Sequence, residues 1–463
     1  MRRTFRGGIH PLRRQHEGKS LSSSVPIQQM PPPKVVRIPL KQDISKPAVP
    51  FVNQGDHVRI GQVLGQADGF LSVPIHSSVS GTVLAIEEIP SQMGGTEKAI
   101  IIENDFKDET DFLPPADYQN MDDHAIIERI KEGGIVGMGG AGFPTHVKLS
   151  PPPQKHVDLL IINGAECEPF LTADQRLMVE HPERVLEGTR IMMRALNVKH
   201  ALIGIEDNKP DAIEAMDKAC ATTRTIRVRA VETKYPQGYE KSLIYALTGR
   251  VVPAGGLPMD AQVVVVNSAS AAAVADVFTK GEPSFERIVT VTGAVKNPGN
   301  YVIRVGTTFE DAIEQAGGLD GVPLKIISGG PMMGRIVPTI ECVVTKNTSG
   351  ILVLDKRYTK HEKETACIRC GKCLEVCPMF LSPVMITDAT EADDFDTAAQ
   401  YHAMDCMSCG SCSYICPANR PLAQSIAFAK GKLTARRIAE QKAREEEERK
   451  LQEEAEEKEA ANG

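Results

Sequence analysis

The chain has 463 residues, too many for one hydrophobic core, so three or four folding units are expected. Hydrophobic residues make up 41% and charged residues 24%, which excludes disordered and collagenous classes. A formal net charge of -7 argues against nucleic acid as a partner, because phosphate binding needs a concentrated basic face.

No apolar run reaches the roughly 18–20 residues of a membrane span. The best candidate, Val263 to Phe278, is broken by Asn267, Ser268 and Asp276. The start, Met1-Arg2-Arg3-Thr4-Phe5-Arg6, is basic but leads into Pro and Gln, so it does not read as a secretory signal and a cytoplasmic location is expected. The 11 cysteines are then expected to be reduced and available to metal.

Residues 1–35 are rich in Pro, Ser and Arg, and Pro31-Pro32-Pro33 denies them a regular ladder. An extended arm that wraps a neighbouring unit is expected. Residues 36–110 alternate short apolar runs (Val36–Leu40, Val58–Leu64, Gly81–Ile86) with glycine turns, the pattern of a small β unit. This stretch resembles a lipoyl-type barrel-sandwich, but no lysine lies between Arg59 and Lys98, so the unit reads as structural rather than as a carrier.

Residues 111–286 alternate helical segments (His124–Lys131, Arg184–Leu196) with apolar strands (Val157–Ile162, His200–Ile205, Gln262–Val266), the signature of a layered α/β domain with a mainly parallel sheet. In residues 287–355 a hairpin, Ile288–Val295 with Tyr301–Val305, precedes a helix at Thr308–Ala316 ended by Gly317-Gly318. That order suggests a β-grasp unit. A cysteine-rich region fills 356–430, and the tail, 431–463, is dominated by Glu, Lys, Arg, Gln and Ala with no apolar stripe, as for a solvated helix.

The strongest signal is a repeat. Cys367-Ile368-Arg369-Cys370-Gly371-Lys372-Cys373-Leu374-Glu375-Val376-Cys377-Pro378 recurs as Cys406-Met407-Ser408-Cys409-Gly410-Ser411-Cys412-Ser413-Tyr414-Ile415-Cys416-Pro417. Each copy is the bacterial ferredoxin run, in which three thiolates hold one cubane and the fourth crosses to the other cluster. Two [4Fe-4S] clusters are expected, one on Cys367, Cys370, Cys373 and Cys416, the other on Cys406, Cys409, Cys412 and Cys377. The alternative, a pair of zinc sites, has no use for the duplicated C-x3-C-P ending. Cys220 and Cys342 lack this spacing and read as small buried hydrophobes.

Two loops in the α/β domain carry further chemistry. Gly133 to Thr145 contains six glycines, which lets backbone amides approach a phosphate or ring. Asn163-Gly164-Ala165-Glu166-Cys167-Glu168-Pro169 follows a strand, where parallel sheets bind ligands. Each loop alone could equally be a solvated turn.

Together, Gly137-Met138-Gly139-Gly140-Ala141-Gly142-Phe143-Pro144-Thr145 and the acidic loop resemble the flavin and NADH site of the flavoprotein subunit of respiratory complex I. With Phe5-Arg6-Gly7-Gly8-Ile9-His10-Pro11, the barrel-sandwich unit, the β-grasp unit and both cysteine runs, the chain resembles the C subunits of the Rnf-type ion-translocating ferredoxin:NAD oxidoreductases over roughly residues 5–425. The resemblance implies a multidomain α/β protein made of a barrel-sandwich unit, a Rossmann-like flavin/NAD domain, a β-grasp unit and an α-helical dicluster ferredoxin domain. It implies FMN along Gly137, Gly139, Gly140 and Gly142, with Lys148 near its phosphate and Phe143 near the nicotinamide. Asn163, Glu166 and Glu168 would bond flavin or nucleotide, and Cys167 would line the site. Gly238 and Glu240 match the complex I pattern while Tyr239 departs from it, and of the pair Asn267-Ser268 only Asn267 matches.

The function so implied is hydride exchange between NAD(H) and FMN, with single electrons passed to the clusters. Integral-membrane subunits and a ferredoxin-type iron–sulfur subunit would be the partners, at the cytoplasmic face of the membrane. The alternative is an electron-wiring and docking subunit with a degenerate flavin site, suggested by Tyr239 and Ser268.

Overall fold

The computed structural model describes residues 3–10, 18–359 and 363–462, with side chains described up to residue 449. Met1, Arg2 and Pro11 of the quoted opening lie outside the described residues. The chain divides into two compact units, Met1–Phe5 with His10–His361 and Arg6–Ile9 with Glu362–Gly463.

In the first unit β1 (Gln28–Gln29) lies in the N-terminal segment. Two small antiparallel sheets follow, from β2 (Val35–Pro39), β3 (Val49–Pro50), β4 (His57–Val58), β5 (Val63–Gln66), β6 (Ile75–His76), β7 (Gly81–Pro90) and β8 (Thr96–Asn104), in the orders β2-β8-β7-β4 and β3-β5-β6. The two-residue strand period turns Val36, Ile38, Ile100 and Ile102 inward, onto a core shared with Leu64, Ile75 and Val83.

The parallel sheet comes next. Helix α1 (Asp123–Glu132) is capped by Asp122, whose carboxylate accepts the Ala125 N–H at 2.7 Å. After it come α2 (Thr145–Lys148), β9 (Leu159–Gly164), α3 (Ala173–Glu180), α4 (Pro182–Ala195), β10 (His200–Glu206), α5 (Pro210–Cys220), β11 (Ile226–Val231), α6 (Glu240–Thr248), β12 (Val263–Asn267) and α7 (Ser268–Thr279). The strands run parallel in the order β11-β10-β9-β12. Leu160, Ile162, Val264 and Val266 face a core shared with α1, α4 and α7, while Ile161, Val263 and Val265 face Leu243 and Ile244 of α6. Burial on both faces is why these strands read as unbroken apolar runs. The expected strands and helices are present within one or two residues of their anticipated ends, and β11 is an edge strand the sequence pattern did not announce.

Helices α4 and α7 approach closely at Gly188, where a Cβ would lie 1.7 Å from the Ala271 carbonyl oxygen. The small residues of Ser268–Ala275 are what this close crossing needs.

A six-stranded sheet completes the unit in the order β1-β14-β13-β17-β15-β16, from β13 (Glu286–Gly293), β14 (Gly299–Arg304), β15 (Lys325–Ser328), β16 (Arg335–Ile336) and β17 (Gly350–Leu354). The expected hairpin is the antiparallel β13–β14 pair, and α8 (Phe309–Gln315) starts at Thr308, whose hydroxyl accepts the Asp311 N–H at 3.0 Å. Gln28 of β1 pairs with Tyr301, so the N-terminal segment does embrace a neighbour, as an added edge strand.

The second unit is helical, with α9 (Lys372–Glu375), α10 (Pro383–Glu391), α11 (Phe395–Gln400), α12 (Ser411–Ile415) and α13 (Leu422–Asn462). Leu422, Ile426, Ala429 and Leu433 sit buried at helical spacing, and Ile426, Ala429 and Leu433 join Leu381, Ile386 and Ala398 in its core. From Thr434 to Arg449 every residue of α13 is exposed, as the charge-rich tail suggested.

Gly188→Ala decides between two effects. Alanine favours an isolated helix by about 1 kcal/mol, whereas overlap with a backbone oxygen forces α4 from α7 at roughly 1–3 kcal/mol or more. The expected outcome is a lower thermal unfolding midpoint; a raised midpoint would show that the two helices can separate at little cost.

Candidate functional site

Strand order reverses beside β9. The chain leaving β9 crosses to β10 on one side, while β12 returns on the other, and such a switch point opens a crevice at the carboxyl ends of the strands. Asn163 and Asn267 are direct cross-strand partners there. Asn163 donates from Nδ2 to Gly238 O at 2.7 Å and accepts the Ala165 N–H at 3.2 Å. Asn267 accepts the Ala269 N–H at 2.9 Å, which caps α7, and donates to Asp174 Oδ2 at 2.7 Å. Asn163 thus ties its own loop and that of Gly238 to the sheet edge, and Asn267 ties the starts of α7 and α3 to it. Ser268 is buried in the first turn of α7.

The glycine loop closes on a neck in which the Gly137 N–H donates to Phe143 O at 2.7 Å and the Thr145 N–H to Ile135 O at 3.0 Å. Phe143 is half-buried, while Gly139, Gly140 and Ala141 are exposed. A Cβ on Gly139 would stand 3.0 Å from Asn267 Nδ2, and one on Gly142, at φ +70°, would stand 3.2 Å from Gln42 O. A Cβ on Gly140 would meet nothing within 4 Å. Protein packing does not demand glycine there, which suits a cradle that a ligand fills. Across the crevice a Cβ on Gly238 would come within 3.2 Å of Cys167 Sγ. The amide of Gln237, beside the expected Gly238, is fully buried with neither Oε1 nor Nε2 partnered.

Lys148 and Glu240, far apart in sequence, form an ion pair, and Lys148 also donates to Val265 O at 3.1 Å. The two acids of the second loop are engaged by the chain itself. Glu166 accepts the Asp174 and Gln175 N–H groups at 2.7 and 3.1 Å, where negative charge complements the start of α3. Glu168 accepts the Met332 and Met333 N–H groups, both at 3.0 Å, and the Tyr235 hydroxyl at 3.3 Å. Burial, then the nearby Glu166, pushes Asp174 up to about 6. Burial likewise pushes the Cys167 thiol far up and keeps it neutral, which fits a lining group rather than a nucleophile. Cys220 and Cys342 are both buried.

In the second unit the two cysteine runs repeat in shape as well as in sequence. Gly371 and Gly410, at φ +75° and +77°, precede the short helices α9 and α12. Arg369 and Ser408 also take positive φ, and their N–H groups each donate to the sulfur two residues back, Cys367 and Cys406, at 3.4 Å. The Leu381 N–H donates to Cys377 Sγ at 3.4 Å. Cys377 lines one pocket with Cys406, Cys409 and Cys412, closed by Leu381 and Ile426. Cys373 lies in the electrostatic reach of Cys370 and Cys416. Burial, then the charge of Cys409, Cys406 and Cys377, raises Cys412 to about 12, so iron must displace its proton on loading. The thiols of Cys377, Cys406, Cys409 and Cys412 line one volume, which suits a cage of iron and sulfide.

A glycine cradle at a switch point, with two ferredoxin-type cysteine loops, defines a flavin- and iron–sulfur-dependent electron-transfer protein. Residues 3–107 match the RnfC barrel sandwich hybrid domain, 130–276 the Nuo51 FMN-binding domain, 288–336 the SLBB domain and 359–417 the 4Fe-4S dicluster domain. The chain is 46% identical over 434 residues to the C subunit of the proton-translocating ferredoxin:NAD(+) oxidoreductase complex of Clostridium ljungdahlii, covering 93% of this chain and 94% of the relative. It is 46% identical to the C subunit of the Na(+)-translocating ferredoxin:NAD(+) oxidoreductase complex of Acetobacterium woodii, over 94% and 98% of the two chains. With the C subunit of the ion-translocating oxidoreductase complex of Rhodobacter capsulatus it shares 42% identity over 94% and 84%. The chain belongs to the family of C subunits of the ion-translocating ferredoxin:NAD oxidoreductase complexes.

The Glu168 carboxyl is pushed up to about 7, by burial, against the opposing pull of the Met332 and Met333 amides, Tyr235 and Lys19. The folded chain therefore keeps a proton on Glu168 that the unfolded chain releases above about 4.5. Glu168 should lower stability as pH rises from about 4.5 to about 7, with no further change above. Denaturant unfolding across that range measures it, and Glu168→Gln should flatten that part of the curve; an unchanged curve would place the carboxyl at an ordinary pKa.

Proposed function

We propose that this chain exchanges a hydride with NAD(H) at an FMN held in the crevice between β9 and β12, and hands electrons on singly through two [4Fe-4S] clusters in the second unit. The observation that carries the reading is the convergence of Gly139, Asn163, Gly238 and Asn267 on one sheet edge where strand order reverses. Bound FMN supplies the junction between two-electron nicotinamide chemistry and one-electron cluster chemistry.

The chain's own residues do the holding. Gly137, Gly139, Gly140 and Gly142 let the backbone approach the ligand, Lys148 with its partner Glu240 sets the charge for the phosphate, and Phe143 serves the nicotinamide. Asn163, Gly238, Asn267 and Ser268 shape the floor. Glu166 and Glu168, occupied by backbone amides, act by fixing the loop that faces the ring. The clusters take Cys367, Cys370, Cys373 with Cys416, and Cys406, Cys409, Cys412 with Cys377. The domain limits that go with this reading are 36–110, 111–286 (Rossmann-like), 287–355 (β-grasp) and 356–430, between the arm and the tail. Among the described residues no helix is long and apolar enough to cross a membrane, so the ion path falls to integral-membrane partners, with a ferredoxin-type subunit alongside at the cytoplasmic face.

Anaerobic purification with iron, sulfide and flavin quantitation, followed by NADH titration, tests this. Flavin and clusters bleaching together on NADH addition is the expected result. A chain with its full iron that takes up no FMN and ignores NADH would leave only an electron-wiring role.

The ligand sets are tested separately. Cys377→Ser should alter the paramagnetic resonance of the cluster on the Cys406 run and spare the other, whereas Cys367→Ser should do the reverse. If Cys377→Ser disturbs only the cluster on its own run, the crossed assignment is wrong.

A further inference from the structure

Carbonyls of both loops that edge the crevice are held by side chains from other segments of the chain. Lys19, buried in the N-terminal segment, donates to Glu166 O at 2.8 Å and to Leu171 O. Lys209, just before α5 and fully buried, donates to Ala165 O at 2.8 Å, its charge met by Glu206 Oε2 at 3.1 Å and Asn208 Oδ1 at 2.9 Å. In the glycine loop, buried Arg287 of β13 donates from Nη2 to Met138 O at 2.8 Å, while its Nε holds Thr348 O at 3.1 Å. Asn347 donates from Nδ2 to Gly140 O at 3.2 Å.

In a planar trans peptide the C=O and the following N–H point opposite ways. A carbonyl held by a side chain therefore turns the next amide away from that side chain. The amides so turned are those of Glu166 and Cys167 in one loop and Gly139 and Ala141 in the other, while that of Thr172, after the Leu171 carbonyl, donates inward to Thr290 Oγ1 at 3.1 Å. None of the four donates to another group among the described residues, and Gly139 and Ala141 are exposed. Glu166 takes φ +46°, a conformation uncommon for a residue with a side chain, and the lysines hold the carbonyls on either side of it.

We propose that Lys19, Lys209, Arg287 and Asn347 are positioning residues that convert the two loops into an array of outward N–H donors for FMN. The array fits the acceptor-rich parts of that ligand, its ring carbonyls and phosphate oxygens, and it favours the charge the ring gains on reduction. Lys19, Arg287 and Asn347 lie outside the 130–276 stretch that matches the FMN-binding domain, so flanking segments complete the site. The inference rests on the reading that FMN binds in this crevice.

The test uses the full chain, purified anaerobically with its clusters, and titrated with FMN by flavin fluorescence and by the midpoint potential of the bound flavin. Lys19→Met should weaken FMN binding by about tenfold or more, and Asn347→Ala, which removes no charge, by about fivefold. Lys19→Arg, which keeps the donors and the charge, should recover most of the loss. The two-electron potential should fall by about 30 mV for each tenfold by which the reduced form loses more stabilisation than the oxidised form. Affinity and potential within twofold-equivalent of the unsubstituted chain, in Lys19→Met and Asn347→Ala proteins that keep their iron, would overturn the proposal. Should Lys19→Met lose its iron through misfolding, Asn347→Ala decides alone. Failure of the unsubstituted chain to bind FMN would remove the flavin reading, and the proposal with it.

Discussion

The site depends on β12 lying beside β9 and not beyond β11. Had the chain added its last parallel strand at the other edge, no reversal would exist, and the loops after β9 and β12 would not face a common gap. The hydrogen-bond register then sets Asn163 against Asn267, and Asn163 engages the flanking loops while Asn267 engages the starts of α7 and α3. Backbone geometry at the crevice is in this sense an extension of the sheet ladder.

Behind that edge lie unusual charges. Lys19, Lys209 and Arg287 are buried, and removing an ammonium or guanidinium from water is costly unless its hydrogen bonds are well made. Lys209 answers with a carboxylate and two carbonyl-type acceptors, Lys19 with two peptide oxygens. Such bonds leave little choice of arrangement, because a loop shifted by an ångström would strand a buried cation. The energetic penalty is thereby turned into geometric definition at the crevice proposed to hold the flavin.

Much of this was legible in the order of residues. The cysteine runs declare themselves because ligand spacing is local, and the parallel sheet because strands buried on both faces must be apolar throughout. β11 escaped notice because Ile226-Arg227-Val228-Arg229 alternates as an edge strand does and lacks the unbroken hydrophobicity of its neighbours. Glu166 and Glu168 were readable as residues of the crevice loop, but not as acceptors for amides of α3 and of the Met332-Met333 turn. Lys19 and Arg287 were invisible for a related reason. Their partners stand 147 and 149 residues away, and a lone cation beside a proline-rich arm or inside a strand carries no local sign of what it will hold.

The pocket that gathers Cys377 with Cys406, Cys409 and Cys412 bears on how the protein is made. Synthesis releases Cys377 from the ribosome before the three thiols with which it shares that pocket, and the core joining α10 to α13 cannot close until Leu433 has emerged. Iron loaded early would find the pocket incomplete, while a waiting thiol stands open to oxidation. Cofactor insertion thus waits until the second unit has been made in full, and the yield of intact protein becomes a contest between delivery of clusters and the chemistry of oxygen.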